Sequence, residues 1–414
     1  MKYLILLVSL FFCNPVFAKR VANYKFPFSK PYMATATNLL GGFSVPYFDY
    51  QEIFIGDYRS RLKRKIANAG LLMHKGKRRP LVFVLGGFGA SIEEGSVRLL
   101  AYNLYKKMGY HVIVIPGQFW WYFALTTSKT IVLGDVSQDI KIYRSIMKKV
   151  LAKAQAMGLR FSNISIAGYS AGALRSLFLA RQDKKDGFFN FKTVVAINPP
   201  MGIFQGGQSI DKFHFRWEKY TLKQKKILIA RAYNFFFKLD EEKRKGTKHL
   251  LQYIYTNFPY TEEQIMSVIG YQFREKFSSY LGRVEMVNKT GLFNNTKELI
   301  SISLGIFSNK FSFVEYFHKY LYPFYRTKQN RLSKKQLIHR ASLHSLAKFL
   351  KTSSNVFIQH NQDDILLLNP KKDLRFLESL LKDRMIIYPT GGHLGNLWFP
   401  TNIKHFLSFF SDHK

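Results

Sequence analysis

Cysteine is almost missing from this 414-residue chain: Cys13 is the only one, and it lies in an apolar stretch near the N-terminus. Beyond that stretch, its absence excludes disulfide stapling, a thiol nucleophile and a cysteine-based metal site. Acidic side chains are scarce too, 26 Asp and Glu against 63 Lys and Arg, for a formal charge of +37. A field of that sign favours anionic partners, although a general basic bias gives the same count with no specific partner. The apolar run Tyr3–Phe12 falls short of the roughly 20 residues that a membrane span needs. The histidines, His74 and His214 among them, show no metal-ligand spacing, and no cofactor is implied. At 47% hydrophobic and 21% charged residues, the composition is that of a globular protein rather than a disordered one. The length suits one large domain carrying an insertion.

Lys2 precedes the apolar run, Asn14-Pro15 breaks it, and Val16-Phe17-Ala18 follows. This is the layout of a signal peptide over 1–18, with export to the periplasm or medium as the expectation. Lys19 and Arg20 directly after the cleavage point are awkward for export, so an uncleaved anchor is the rival reading. A lipoprotein reading through Cys13 conflicts with the bulky Phe11-Phe12 before it. After export, the anionic partners of a basic protein are a membrane surface or an acidic envelope polymer, not nucleic acid.

Residues 19–50 are rich in Phe, Tyr, Pro and Gly without a period, and are expected to form an irregular arm with short strands. Regular structure starts beyond Tyr50. Leu81–Leu85, His111–Ile115, Ile164–Ala167, Thr193–Ile197, Val356–Gln359 and Met385–Tyr388 read as buried strands. Helical patterns lie between them: about 91–107, a stretch opened by Asp135-Val-Ser-Gln138 in capping-box form, 171–181, 371–381 and 402–410. Strands alternating with helices predict a mostly parallel sheet covered on both faces. The alternation stops over 201–351, which is helical in pattern and basic. The expected layout is therefore a core of 19–200 and 352–414 with a helical cap of 201–351 between its halves. Ligands in such sheets bind at the carboxyl ends of the strands.

The chemistry-bearing residues sit at those ends. Gly168-Tyr-Ser-Ala-Gly172 lies between the strand Ile164–Ala167 and a helix, where a sharp turn needs small neighbours around the serine. The bland alternative is a glycine-flanked helix cap. Serine is a poor nucleophile until a base removes its proton, and the base needs an acid to orient it. His360-Asn-Gln-Asp-Asp364 follows one later strand and Gly391-Gly-His-Leu-Gly395 another. Gly86-Gly-Phe-Gly89 follows the first strand and lacks the Gly-Lys-Ser/Thr ending of a nucleotide phosphate loop.

Taken as a set, in the chain order Ser, Asp, His, these motifs resemble the α/β-hydrolase superfamily from about residue 80 onward, apart from the cap. The resemblance implies an α/β-hydrolase fold with Ser170 as nucleophile, His393 as base and Asp364 as orienting acid, Asp363 being the alternative acid. It also implies an oxyanion hole from the backbone N–H groups of Phe88 and Ala171, though Gly86 stands where the family usually has histidine. The strand Thr193–Ile197 ends in Asn198-Pro-Pro, without a carboxylate at the family's other acid position.

The expected activity is hydrolysis of a carboxylic ester, on a small-molecule, lipid-like or acylated envelope substrate, with amidase, thioesterase or acyltransferase activity as alternatives that use the same triad. The competing reading is a catalytically silent binding protein on the same fold. Phe119-Trp-Trp-Tyr-Phe123 either walls an acyl pocket or packs as core. Phe235-Phe-Phe237 and Phe317–Arg326 interleave aromatics with cations, as an interfacial membrane contact does and as helix core with outward lysines also does.

Overall fold

The computed structural model describes residues 17–39, 44–56, 67–127, 132, 134–289, 312–328 and 332–411. The expected signal peptide lies outside them except for Phe17 and Ala18.

The apolar runs form the expected strands within a nine-stranded sheet: β1 Lys19–Arg20, β2 Gln51–Phe54, β3 Asn68–Leu72, β4 Arg78–Leu85, β5 His111–Ile115, β6 Arg160–Tyr169, β7 Val194–Ile197, β8 Val356–Asn361 and β9 Met385–Tyr388. Their spatial order is β1-β9-β8-β7-β6-β4-β5-β3-β2. All neighbours run parallel from β1 to β5, and β3 and β2 close the other edge antiparallel.

Side chains alternate across a strand, so each central strand feeds two cores. Leu81, Phe83, Leu85, Ile113 and Ile166 enter one layer, under the helices Val136–Ala156 and Ala171–Asp186. Val82, Val84, Val112, Ala167 and Val195 enter the other, against Gly95–Tyr102 and Pro400–Ser408. Burial on both faces is why these strands read as unbroken apolar runs.

Local signals set several boundaries. The Asp135 carboxylate accepts from Gln138 N–H at 3.1 Å and opens Val136–Ala156 as expected. The helix expected from Ser91 begins only at Gly95, because Glu94 is its cap, and it passes into a π-helical turn over Asn103–Lys107. β8 extends to Asn361, so His360 lies within the strand and not beyond it. In the arm, the short strand β1 pairs with β9 as expected of it, while Pro31–Ala36 forms a helix that was not expected.

Over 201–351 the described residues are helical, chiefly Ile203–Glu218, Leu222–Arg244, Thr247–Asn257 and Glu262–Asn288. The first and last of these touch so closely that a Cβ on Gly270 would strike the backbone of Phe213 and His214. Asp211 fastens a further turn, accepting from Phe313 and Val314 N–H at 3.0 and 2.9 Å. Leu343, Leu346 and Leu350, at the end of this stretch, pack into the sheet's core instead of over the strand ends. Among the described residues no helix is long and apolar enough to cross a membrane.

Candidate active site

Ser170 stands between β6 and the helix Ala171–Asp186 with φ 53° and ψ −125°, a conformation that costs a non-glycine residue on the order of 1–3 kcal/mol. Its surroundings hold it there: Ser170 N–H donates to Ile197 O at 2.8 Å, and Leu174 N–H donates to Ser170 O at 3.2 Å. The flanking glycines are steric necessities. A Cβ on Gly168 would lie 2.5 Å from Gly172 O, and one on Gly172 would strike Leu85 O and Gly86 O. The turn lifts the Ser170 hydroxyl to the N-terminal end of a helix, where developing negative charge is favoured.

The loop after β9 brings the histidine. His393 Nε2 lies 2.8 Å from Ser170 Oγ. His393 Nδ1 lies 3.0 and 3.1 Å from the two carboxylate oxygens of Asp364. The structure thus brings together Ser170, His393 and Asp364, all buried. Asp363 turns the other way and accepts from Gly391 and Gly392 N–H at 3.2 and 2.9 Å, bracing the loop without touching the imidazole.

The two carboxylates differ in electrostatics. Burial pushes both upward. For Asp364 the charge and hydrogen bond of His393, the charge of His360 and Leu366 N–H outweigh burial and hold the carboxyl below its usual range. For Asp363 burial prevails over the two glycine N–H groups, and its pKa rises to about 6. Two adjacent aspartates are therefore divided into one that stays ionised beside an imidazole and one that titrates near neutrality.

Several residues that sequence reasoning passed over complete the arrangement. Asn198, noted only for not being a carboxylate, donates its side-chain amide to Asp364 Oδ2 at 2.7 Å. Burial lowers the pKa of His360, whose Nδ1 lies 3.0 Å from Asn361 N and whose Nε2 lies 3.1 Å from Pro199 O. Thr35, on the arm's helix, accepts from His393 N–H at 2.8 Å and donates to Pro31 O at 2.7 Å. The same helix is tied to 262–288 by Glu262, which accepts from Tyr32 and Met33 N–H.

Phe88 and Ala171 both border Ser170. Gly87 sits so near the serine turn that a Cβ there would lie 2.7 Å from the Tyr169 ring and 3.4 Å from Ser170 Cβ. The loop is pinned by Gly86 N–H to Ile115 O at 3.1 Å and Gly117 N–H to Ala90 O at 2.8 Å, although the family histidine is absent. Among the described residues Phe88 N–H donates to no protein acceptor.

Two chambers meet at Ser170. One, about 850 Å³ with its open mouth included, is apolar, with Phe119, Ile203, Phe204, Phe277, Phe313 and Phe317 in its wall. The other, about 1510 Å³ on the same basis, includes Thr35, Asn38, Glu94, Tyr169, Gln272 and His393. The aromatic run after β5 is split between roles: Phe119 faces the apolar chamber, while Phe123 packs in the sheet core against Tyr143. Phe317 is only 5% exposed and walls the same chamber, so at that residue the core alternative for Phe317–Arg326 holds rather than the membrane contact. Phe235 is likewise buried, whereas Phe237 is exposed.

No family model matches the chain, and no curated protein matches its sequence. Among solved structures it is similar to carboxyl esterase 2 of Tuber melanosporum at 14% identity, over 93% of this chain and 97% of that one, with a TM-score of 0.44. It is also similar to an esterase of Pyrobaculum calidifontis (12%, 92% and 90%, 0.41). A bacterial membrane phospholipase A is similar to the same degree (13%, 91% and 89%, 0.41). The fold is that of the α/β-hydrolases. The mostly parallel sheet, the helices on both its faces and the helical insertion between β7 and β8 make up that architecture.

Proposed function

We propose that the chain is a serine hydrolase that cleaves carboxylic esters of lipid-like acids, with Ser170 as nucleophile, His393 as general base and Asp364 as the acid that orients it. The observation that carries this reading is the continuous contact from Ser170 Oγ through His393 to Asp364, at the meeting point of the two chambers.

Asp364 holds the imidazole with its proton on Nδ1, so that Nε2 accepts the Ser170 proton as Oγ attacks the acyl carbon. The resulting oxyanion is held by Phe88 and Ala171 N–H, an interaction that typically contributes about 3–4 kcal/mol per donor. The intermediate collapses, the ester C–O bond breaks, and the leaving alkoxide takes the proton from His393 Nε2. Water then repeats the sequence on the acyl-enzyme, releasing the acid and restoring Ser170. The apolar chamber suits the acyl chain and the more polar one the alcohol. With 1–18 read as a signal peptide, the substrate is an acylated envelope component.

Steady-state turnover of a panel of p-nitrophenyl esters of increasing chain length tests this. Ser170→Ala and His393→Ala each lose nearly all activity while remaining folded, and the double variant is hardly worse than either single one. Additive losses, or an active Ser170→Ala enzyme, contradict the assignment.

A further inference from the structure

The helix Leu222–Arg244 has two dissimilar faces. Leu228, Phe235 and Leu239 are buried, and Ala232 and Phe235 line the chamber that opens on Ser170 and His393. At about 100° per residue, Leu222, Lys223, Lys226, Ile227, Tyr233, Phe237 and Lys238 all fall within about 80° of Ala230 on the opposite side. The apolar members of that arc are exposed: Leu222 70%, Tyr233 73%, Phe237 75% and Ile227 42%. Scattered exposed apolar residues need no explanation, but four on one arc of one helix, alternating with lysines, form a patch. From Leu222 to Leu239 there are five basic residues and no acidic one, and the first carboxylates, Asp240 and Glu241, come only in the helix's last turns.

We propose that this outward face docks on an anionic lipid bilayer, setting the chamber behind it at the membrane surface. Aromatic and aliphatic tips enter the headgroup boundary while lysine ammonium groups stay at its surface beside lipid phosphates. Charge complementarity selects the occupant: the arc is uniformly cationic over its first four turns, on a chain of charge +37. The site differs from Phe317–Arg326, whose Phe317 is committed to the chamber wall. The benefit of docking rests on the ester-hydrolase reading, but the docking itself does not.

The test is co-sedimentation of the full chain with phosphatidylglycerol/phosphatidylcholine vesicles and with phosphatidylcholine vesicles alone, alongside turnover of a soluble short-chain ester. Wild type binds the anionic vesicles at least tenfold more tightly than the neutral ones. Joint Leu222→Ser, Tyr233→Ser and Phe237→Ser substitution lowers anionic binding at least tenfold and leaves soluble turnover within twofold. Joint Lys223→Gln, Lys226→Gln and Lys238→Gln substitution does the same and flattens the salt dependence. Should the apolar variant fail to fold, the lysine variant decides. The proposal is overturned if wild type ignores anionic vesicles, if it binds neutral ones equally, or if a folded variant binds as wild type does. A wild type that binds vesicles but turns over no ester refutes the hydrolase reading alone.

Discussion

Replacing Asp364 by asparagine changes one atom and breaks a specific chain of hydrogen bonds. The carboxylate accepts from Leu366 N–H at 2.9 Å and the Asn198 amide at 2.7 Å, and lies 3.0 Å from His393 Nδ1. Asparagine offers one acceptor oxygen and one NH₂ group. With its oxygen toward Leu366, the NH₂ meets the Asn198 amide; with its oxygen toward Asn198, the NH₂ meets Leu366 N–H. In both poses the NH₂ also comes within reach of His393 Nδ1, makes that nitrogen the acceptor and moves the ring proton to Nε2, aimed at Ser170 Oγ. The base is then lost. The expected fall in kcat/KM is about 10³–10⁴-fold, or about 4–5.5 kcal/mol of transition-state stabilisation. The unpaired buried donor costs a further ~1–3 kcal/mol of folding stability. Asp363→Asn keeps one acceptor for the two glycine N–H groups and loses about 1 kcal/mol, less than about tenfold in rate. Steady-state kinetics on a p-nitrophenyl ester, with thermal unfolding of the same samples, separates the two effects. A larger loss of activity from Asp363→Asn than from Asp364→Asn refutes the reasoning and moves the acid to Asp363.

Thr35→Val leaves the buried His393 N–H without its acceptor and lowers kcat with little change in KM, while Thr35→Ser, which keeps the oxygen, restores the rate. The pKa of Asp363 rises on folding from an ordinary 3.8 to about 6, so the stability it lends is fully present below pH ~4 and lost as the pH rises through 6. The melting temperature of wild type relative to Asp363→Asn therefore falls between pH 4 and 7, by the equivalent of up to about 3 kcal/mol, and a flat difference contradicts this. Ile203→Trp fills part of the apolar chamber and shifts the preferred acyl chain of the ester panel to shorter lengths; an unchanged preference moves the acyl chain elsewhere.

The strands carrying the site were legible because short unbroken apolar runs that alternate with helical patterns fit strands buried on both faces of a parallel sheet. Leu81–Leu85, His111–Ile115 and Met385–Tyr388 lie where expected, since both their faces are buried. The Ser170 turn was legible for a related reason: Gly168 and Gly172 stand where backbone atoms of neighbouring segments leave no room for a Cβ. The helix Pro31–Ala36 was not, for six residues show no period and part of what holds it, the Glu262 carboxylate, is supplied from 230 residues away. Thr35 is 358 residues from the histidine it braces, a contact without any local pattern. Adjacent Asp363 and Asp364 are equivalent on paper and are told apart only by which carboxylate reaches the imidazole. Of the apolar chamber only Phe119 was offered by the sequence as a possible wall; Phe277, Phe313 and Phe317 were not, because aromatics on a helix have the same spacing whether they face a core or an empty pocket.

Covalent labelling with a fluorophosphonate, followed by peptide mapping, decides whether Ser170 is an activated nucleophile. The expected result is one label per chain, on Ser170, lost in Ser170→Ala, strongly slowed in His393→Ala, and accompanied by matching loss of ester turnover. A folded protein whose Ser170 stays unlabelled, or one that takes the label on another serine, contradicts it.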